Sequence, residues 1–245
     1  NEQVKAIIKI DAATDNTGSD SDSDMNLDVE DAYFSYTPGF ATINVGKQNI
    51  PGPFTDGNQG TGIVALAPVG PVTLAAGYFN NHNTAGVPQA NALEAAVMGT
   101  FGMVNAEFWY ANVVDTLDVY TVKASASLGP VTLAAQHTSL ETDASGSKKN
   151  DLSKIEASAS VGIVNLSAAY AKTSKYNGDS SMGGYDNGSV IEDGSDAQAG
   201  FGLEQVDITA LPDAAVFVIG ANTNVTSQLN VGAKYLNGDT TITSV

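Results

Sequence analysis

Apolar and polar residues alternate along this chain in stretches of about eight to ten residues, the spacing expected for β-strands. Pairs of these stretches meet at short turns containing Gly, Pro or Asn, and the connection that follows each pair is longer and polar. One unit recurs without change, because residues 70–76 and 129–135 both have the sequence Gly-Pro-Val-Thr-Leu-Ala-Ala. Hairpins at this short period predict an all-β antiparallel meander rather than βαβ units.

The same pattern locates the strands. It predicts a lone first strand over 4–10 and six hairpins, over 29–48, 61–79, 92–111, 119–138, 153–171 and 214–236. This gives roughly thirteen strands, each long enough to cross a bilayer at a tilt. Short turns predict the periplasmic side and the longer polar loops predict the external side.

Strands that leave the tight turns keep a common phase. The first of five such strands carries an apolar ladder and a small or polar ladder on opposite faces: Val72, Leu74, Ala76 and Tyr78 against Thr73, Ala75 and Gly77. Apolar outside and small or polar inside is the pattern of an outer-membrane barrel, so the sequence predicts an antiparallel transmembrane β-barrel. The inner face is accordingly expected to be wet rather than a dry core. A secreted β-rich structural protein, of the surface-layer or adhesin type, is the alternative and would remain soluble without detergent.

A tyrosine ends four of the five ladders: Tyr78, Tyr110, Tyr170 and Tyr235. Tyr also favours strands in general. The constant distance from the turn favours a girdle at the membrane interface, where the ring lies in hydrocarbon and the hydroxyl in water. His137 ends the fifth ladder, which favours an interfacial histidine over a general base.

Strand parity places a set of polar side chains on the inner face as candidate pore-lining residues. They are Lys5, Lys9, Asp31, Gln48, Glu94, Glu107, Lys123, Lys154, Glu156 and Lys234. Charges of both signs across a narrow pore create a transverse field that orients solutes and sets ion preference. The same parity sends Lys47 outward, where it could snorkel at the membrane edge.

Composition narrows the function classes. The formal charge is -17, from 27 acidic residues against ten lysines, with no arginine. Nucleic acid is therefore not an expected partner, since phosphate binding needs clustered Lys and Arg, and cations are favoured instead. The absence of Cys excludes disulfides and thiolate metal sites. Two histidines and scattered Ser and Asp give no catalytic constellation, so no catalytic residue is predicted and a barrel enzyme is disfavoured.

Several motifs resemble the major outer membrane porin of Campylobacter and its epsilonproteobacterial relatives. They are residues 45–50 (Val-Gly-Lys-Gln-Asn-Ile), 55–57, 60–62, 72–76, 190–193 and 229–233. The resemblance implies a homotrimeric porin barrel of about eighteen strands with one loop folded inward. On that plan residues 1–245 form a single barrel domain that begins at the third strand, ends after the fifteenth and is incomplete at both ends.

The resemblance also implies a constriction. By analogy with porins, the loop over 49–60 would fold inward and Asp56 would present charge into the channel, although an ordinary surface loop remains the alternative. The family's association with calcium makes Asp56 and Glu192 candidate Ca²⁺ ligands if both of their loops fold inward; no cofactor is required. The acidic run over 20–24 lacks the Gly and Glu of an EF-hand and favours a solvated loop.

These observations lead to one expected function. The chain is expected to be a bacterial outer-membrane porin, surrounded by lipid, that passes small hydrophilic solutes and ions by passive diffusion with a preference for cations.

Overall fold

Thirteen β-strands make up the ordered framework of the chain. The computed structural model describes residues 3–13, 26–54, 58–84, 87–175, 208 and 211–239. The strands are β1 (Val4–Ala13), β2 (Asn26–Tyr36), β3 (Thr42–Asn49), β4 (Gln59–Val69), β5 (Val72–His82), β6 (Ala92–Phe101), β7 (Val104–Val113), β8 (Leu117–Leu128), β9 (Val131–Thr142), β10 (Asn150–Val161), β11 (Val164–Thr173), β12 (Ala215–Asn224) and β13 (Asn230–Asp239). The described residues include no helix with the length and hydrophobicity needed to cross a membrane.

The strands form one antiparallel sheet in which each strand pairs with its neighbours in sequence, in the order β1 to β13. Within the described residues the sheet is open, with β1 and β13 as its two edges. The prediction of an all-β antiparallel meander of roughly thirteen strands is confirmed, and most strands extend two or three residues beyond their predicted bounds because the loops continue the pairing.

Four hairpins share one turn geometry. Each has two central residues, of which the first is a glycine with φ near +60°: Gly70 (61°), Gly102 (65°), Gly129 (66°) and Gly162 (62°). Positive φ at the first central residue alone matches a type II′ turn, whose twist fits the twist of the paired strands. Proline is tolerated at the second position, as at 71 and 130, because φ is negative there. We call this edge of the sheet the turn end and the opposite edge the loop end.

The two faces of the sheet differ in exposure. The outer face exposes large apolar side chains along its whole width, among them Phe34, Val97, Leu133, Ile155, Leu166 and Ile219. A soluble protein rarely exposes an apolar surface of this extent, which is typical of a membrane-facing wall. The inner face carries the buried side chains, and it positions the candidate site.

Candidate functional site

The loop between β3 and β4 folds onto the inner face. Gly52 lies so close to the wall that a Cβ there would stand 2.5 Å from Glu94 Oε1 and 2.7 Å from the Trp109 ring, and its φ of +101° favours glycine. Pro51 and Pro53 flank it and restrict the backbone on both sides. Phe54, the last described residue before the gap, packs against two buried clusters of the inner wall, one on β5 to β7 and one that spans β8 to β12. The loop is therefore pinned inside the sheet by backbone shape and by one aromatic side chain.

At the loop end the inner face is dry. A group that we call the loop-end cluster is buried to 4% exposure or less: Val119, Leu140, Leu152, Ala169, Ala171, Ile208, Ala214, Val216 and Val218. Ile208 belongs to the long connection between β11 and β12, so a second loop also reaches the inner wall. Phe54 touches this cluster as well. The expectation of a wet inner face is therefore wrong at the loop end, where two loops cover apolar wall residues and exclude water.

A belt of hydroxyl groups borders the loop-end cluster. Thr121 and Thr138 are fully buried and their Oγ1 atoms lie 2.6 Å apart. Gln136 Nε2 donates to Thr138 Oγ1 at 3.1 Å. Thr173 Oγ1 donates to the Leu211 carbonyl at 2.7 Å and accepts from the Ala214 amide at 2.9 Å, which ties the end of the second loop to β11. Thr121 and Thr138 satisfy each other's polar atoms where the dry and polar halves of the wall meet, whereas Thr173 does so at the loop end of β11.

Towards the turn end the inner face opens into a cavity of about 630 Å³, which we call the charged cavity. Its charged and amide side chains are Asn105, Glu107, Lys123, Gln136, Lys154 and Glu156. Glu107, Lys123, Gln136 and Lys154 lie opposite one another across β7, β8, β9 and β10. This row places charges of both signs side by side on a wall lined by polar groups.

Specific contacts fix the carboxylates of the charged cavity. Glu107 Oε2 accepts a hydrogen bond from Trp109 Nε1 at 2.9 Å. Lys154 Nζ lies 3.9 Å from Glu156 Oε1, with the two side chains 5% and 17% exposed. At this distance the two groups form an ion pair, but the two atoms are too far apart for a hydrogen bond.

Glu94 lies apart from this cavity, beneath the inward loop. The residue is 7% exposed, and its buried Oε2 has no hydrogen-bond partner within the described residues. A small apolar cavity of about 70 Å³ adjoins it, lined by Phe54, Phe79, His82 and Leu140 among others. His82, which the sequence places in a loop, is the last residue of β5 and is buried.

The remaining candidate pore residues are spread along the wall. Lys9 pairs with Asp31 in register and forms an ion pair with Glu30 at 2.6 Å; Glu30 is the extra residue of a β-bulge. Gln48 is 4% exposed, and its Nε2 donates weakly to the Asn44 carbonyl at 3.5 Å. Lys5 on β1 lies opposite Ser35 on β2, and Lys234 on β13 lies opposite Gly220 on β12. The structure does not bring these five candidate positions together with the charged cavity.

Asp56 and Glu192, the candidate constriction and calcium residues, both lie outside the described residues. Among the residues that are described, no group of three or more His, Asp or Glu side chains is arranged to hold a metal ion.

The tyrosines of the predicted girdle all lie on the outer face. Tyr78, Tyr110, Tyr170 and Tyr235 are 36–58% exposed. Tyr110 donates to Asp118 Oδ1 at 2.5 Å, which directs its hydroxyl towards the loop end. His137 lies on the same face, with Nδ1 2.9 Å from Ser153 Oγ. Lys47 also faces outward and donates to the Val29 carbonyl at 2.5 Å.

Sequence reasoning missed the apolar residues that shape the inner face. Phe54 and Ile208 were not candidates, although a large apolar residue in a connecting loop is a signal that the loop packs against another part of the protein. The close approach of Gly52 to the Trp109 ring was not foreseen either.

Comparison with known proteins agrees with this geometry. Residues 3–98 match the model of the family described as Campylobacter major outer membrane protein. No curated protein matches the chain.

Solved structures match over most of the chain. OpdL of Pseudomonas aeruginosa is 12% identical with a TM-score of 0.61, over 86% of this chain and 66% of its own. OccK5 (OpdH) is 12% identical with a TM-score of 0.62, over 91% and 67%. OccK2 (OpdF), solved in complex with glucuronate, is 17% identical with a TM-score of 0.61, over 88% and 64%. At such identity the likeness establishes the fold, and the chain spans about two thirds of the length of these proteins.

The family match begins one residue before β1 and ends within β6, so it includes the inward loop and Glu94. Residues 3–98 are thus similar to the Campylobacter major outer membrane protein family, and the chain as a whole has the fold of the outer-membrane proteins OpdL and OccK5.

Proposed function

We propose that this sheet forms most of the wall of a water-filled channel through which small hydrophilic solutes and ions diffuse passively. The observation that carries the proposal is the contrast between the faces: a charged cavity of about 630 Å³ lies on the inner face, while the outer face exposes apolar side chains. A wall with this polarity separates water from lipid. The similar OccK2 was solved with glucuronate, a small hydrophilic solute, which supports the same solute class here.

Two loops set the width of the proposed channel. The loop with Gly52 and Phe54 lies on the inner wall, and Ile208 reaches the same wall from the β11–β12 connection. Solutes would pass beside this covered region and along the charged cavity. The channel would therefore select solutes by their size and by how its charges orient them.

Cation preference belongs to the proposal, and its source is the long loops rather than the wall. The candidate wall residues comprise five lysines and four acids, which nearly balance. Segments 14–25 and 176–207 hold four and seven acidic residues and no lysine. Negative charge near the mouth of a channel raises the local concentration of cations, and salt screens this attraction. We expect cation selectivity, measured as reversal potential in a KCl gradient, to weaken between about 0.1 M and 1 M salt. Selectivity independent of salt would place its source in the wall.

Assembly and calcium are further parts of the proposal. A homotrimer follows from the family resemblance, and crosslinking in native membranes would test it. Calcium binding would use Asp56 and Glu192. Calorimetric titration of the protein with and without Asp56→Asn should show Ca²⁺ uptake that this substitution weakens, and absence of uptake would remove the calcium site.

The channel itself is tested in planar bilayers. The full-length protein extracted from its source membrane should give stepwise conductance in KCl. A protein that is soluble without detergent and silent in bilayers would instead support the secreted structural class.

A further inference from the structure

Inside the charged cavity, each cationic side chain has a carboxylate as a neighbour. Glu107 and Lys123 lie directly opposite each other on β7 and β8. Lys154 and Glu156 are two residues apart on β10, so they share the inner face, and their charged atoms lie 3.9 Å apart. The two pairs are separated by Gln136 on β9, which is opposite both Lys123 and Lys154. The cavity therefore presents two neighbouring acid–lysine dipoles whose four formal charges cancel.

This arrangement discriminates between solute classes. A simple anion attracted to Lys154 meets the carboxylate of Glu156, and a simple cation attracted to Glu156 meets the ammonium of Lys154. A solute with one charge of each sign gains both attractions when it lies antiparallel to the pair. The ammonium and carboxylate of an α-amino acid are joined through a single carbon, so their spacing is close to that of the Lys154–Glu156 pair.

Burial strengthens the effect. Lys154 is 5% exposed and the Glu156 side chain 17%, so the pair interacts with its surroundings at a lower dielectric than a surface pair. Both residues line the cavity that a solute would enter.

We propose that the charged cavity is a binding subsite for small zwitterionic solutes of the α-amino acid class, formed by the Lys154–Glu156 pair and supported by Glu107 and Lys123. This subsite rests on the channel function proposed above and names the solute class that the channel retains longest. It predicts weak, saturable binding during passage rather than tight capture, because a subsite on a diffusion pathway must also release its solute.

The test is block of single-channel current by size-matched solutes in constant KCl. L-Alanine, lactate, ethanolamine and glycerol provide a zwitterion, an anion, a cation and a neutral solute of similar size. In the full-length protein, alanine should reduce the current with a half-saturating concentration at least about tenfold below that of the other three. Equal block by alanine and glycerol would overturn the proposal, whereas absence of channels altogether would overturn the channel function itself.

Two variants assign the effect to the subsite. The double change Lys154→Met with Glu156→Gln removes one dipole without changing net charge and should abolish the preference for alanine. The matched control is Lys149→Met with Glu141→Gln, which removes an exposed pair at 3.6 Å outside the cavity and should leave the preference intact.

If the first variant does not insert, Glu107→Gln with Lys123→Met supplies a second test. Glutamine still offers an oxygen to Trp109, and this variant should weaken alanine block by several fold. Preference for alanine that persists in the cavity variants, or that is lost equally in the Lys149–Glu141 control, would contradict the assignment.

Discussion

The loop end and the turn end of the inner face are built from the same strands but differ in side-chain polarity and in exposure to water. At the loop end, Leu140 and Leu152 are 1% exposed beneath Ile208. A few residues further along the same strands, Gln136 and Glu156 line the charged cavity. The difference arises from the loops, because side chains from two long connections cover one half of the wall and leave the other half open. One sheet face can therefore carry both a dry core and an open cavity lined by charged side chains.

A charge placed in the dry half of the wall is expected to have the largest effect on the free energy of unfolding. Leu140→Asp buries a carboxylate without a partner and should lower the free energy of unfolding by about 3 kcal/mol or more. Ser125→Asp places the same group in the charged cavity and should change it by less than about 1 kcal/mol. Urea unfolding in detergent, followed by the fluorescence of Trp109, the single tryptophan, measures both. Equal losses of unfolding free energy in the two variants would mean that water reaches both halves of the inner wall equally.

The position of the inward loop is the next test. Gly52→Ala requires the loop to move, since the added methyl group would meet Glu94 and Trp109. Gly39→Ala has a similar positive φ but open space around it, so it isolates the backbone strain of about 1 kcal/mol. We expect a shift in Trp109 emission and a changed conductance for Gly52→Ala alone. Unaltered emission and conductance would show that the loop does not rest on Trp109.

The smallest expected effect concerns ion pairs. Lys154→Met removes the ammonium group beside the largely buried Glu156 carboxylate and should lower the free energy of unfolding by about 1–3 kcal/mol. Lys149→Met breaks an exposed pair with Glu141 and should cost about 1 kcal/mol or less. The same urea titration measures both variants. A larger loss of unfolding free energy for Lys149→Met than for Lys154→Met would contradict the assignment of Lys154 and Glu156 as the buried pair.

Strand parity predicted which face each side chain occupies, because the period of two is a property of the extended backbone. Lys123, Lys154 and Glu156 reached the inner face by that rule alone. Parity carries no information on what covers a face. Phe54 and Ile208 lie far from Leu140 in sequence, and their contact with it depends on the path of two loops whose polar composition predicts only exposure. The sequence could therefore not predict the dry half of the wall, whereas it did predict the strands, the turns and the outward direction of the four tyrosines.

The central claim is that Phe54, held against the inner wall, narrows a water-filled channel. The most direct measurement is single-channel conductance in KCl of the full-length protein and its Phe54→Ala variant, with Phe40→Ala, 73% exposed beside a tight turn, as the control. We predict stepwise channels in all three proteins, with larger conductance and greater current noise for Phe54→Ala alone. Phe54→Ala channels identical to those of the unmodified protein would contradict the claim.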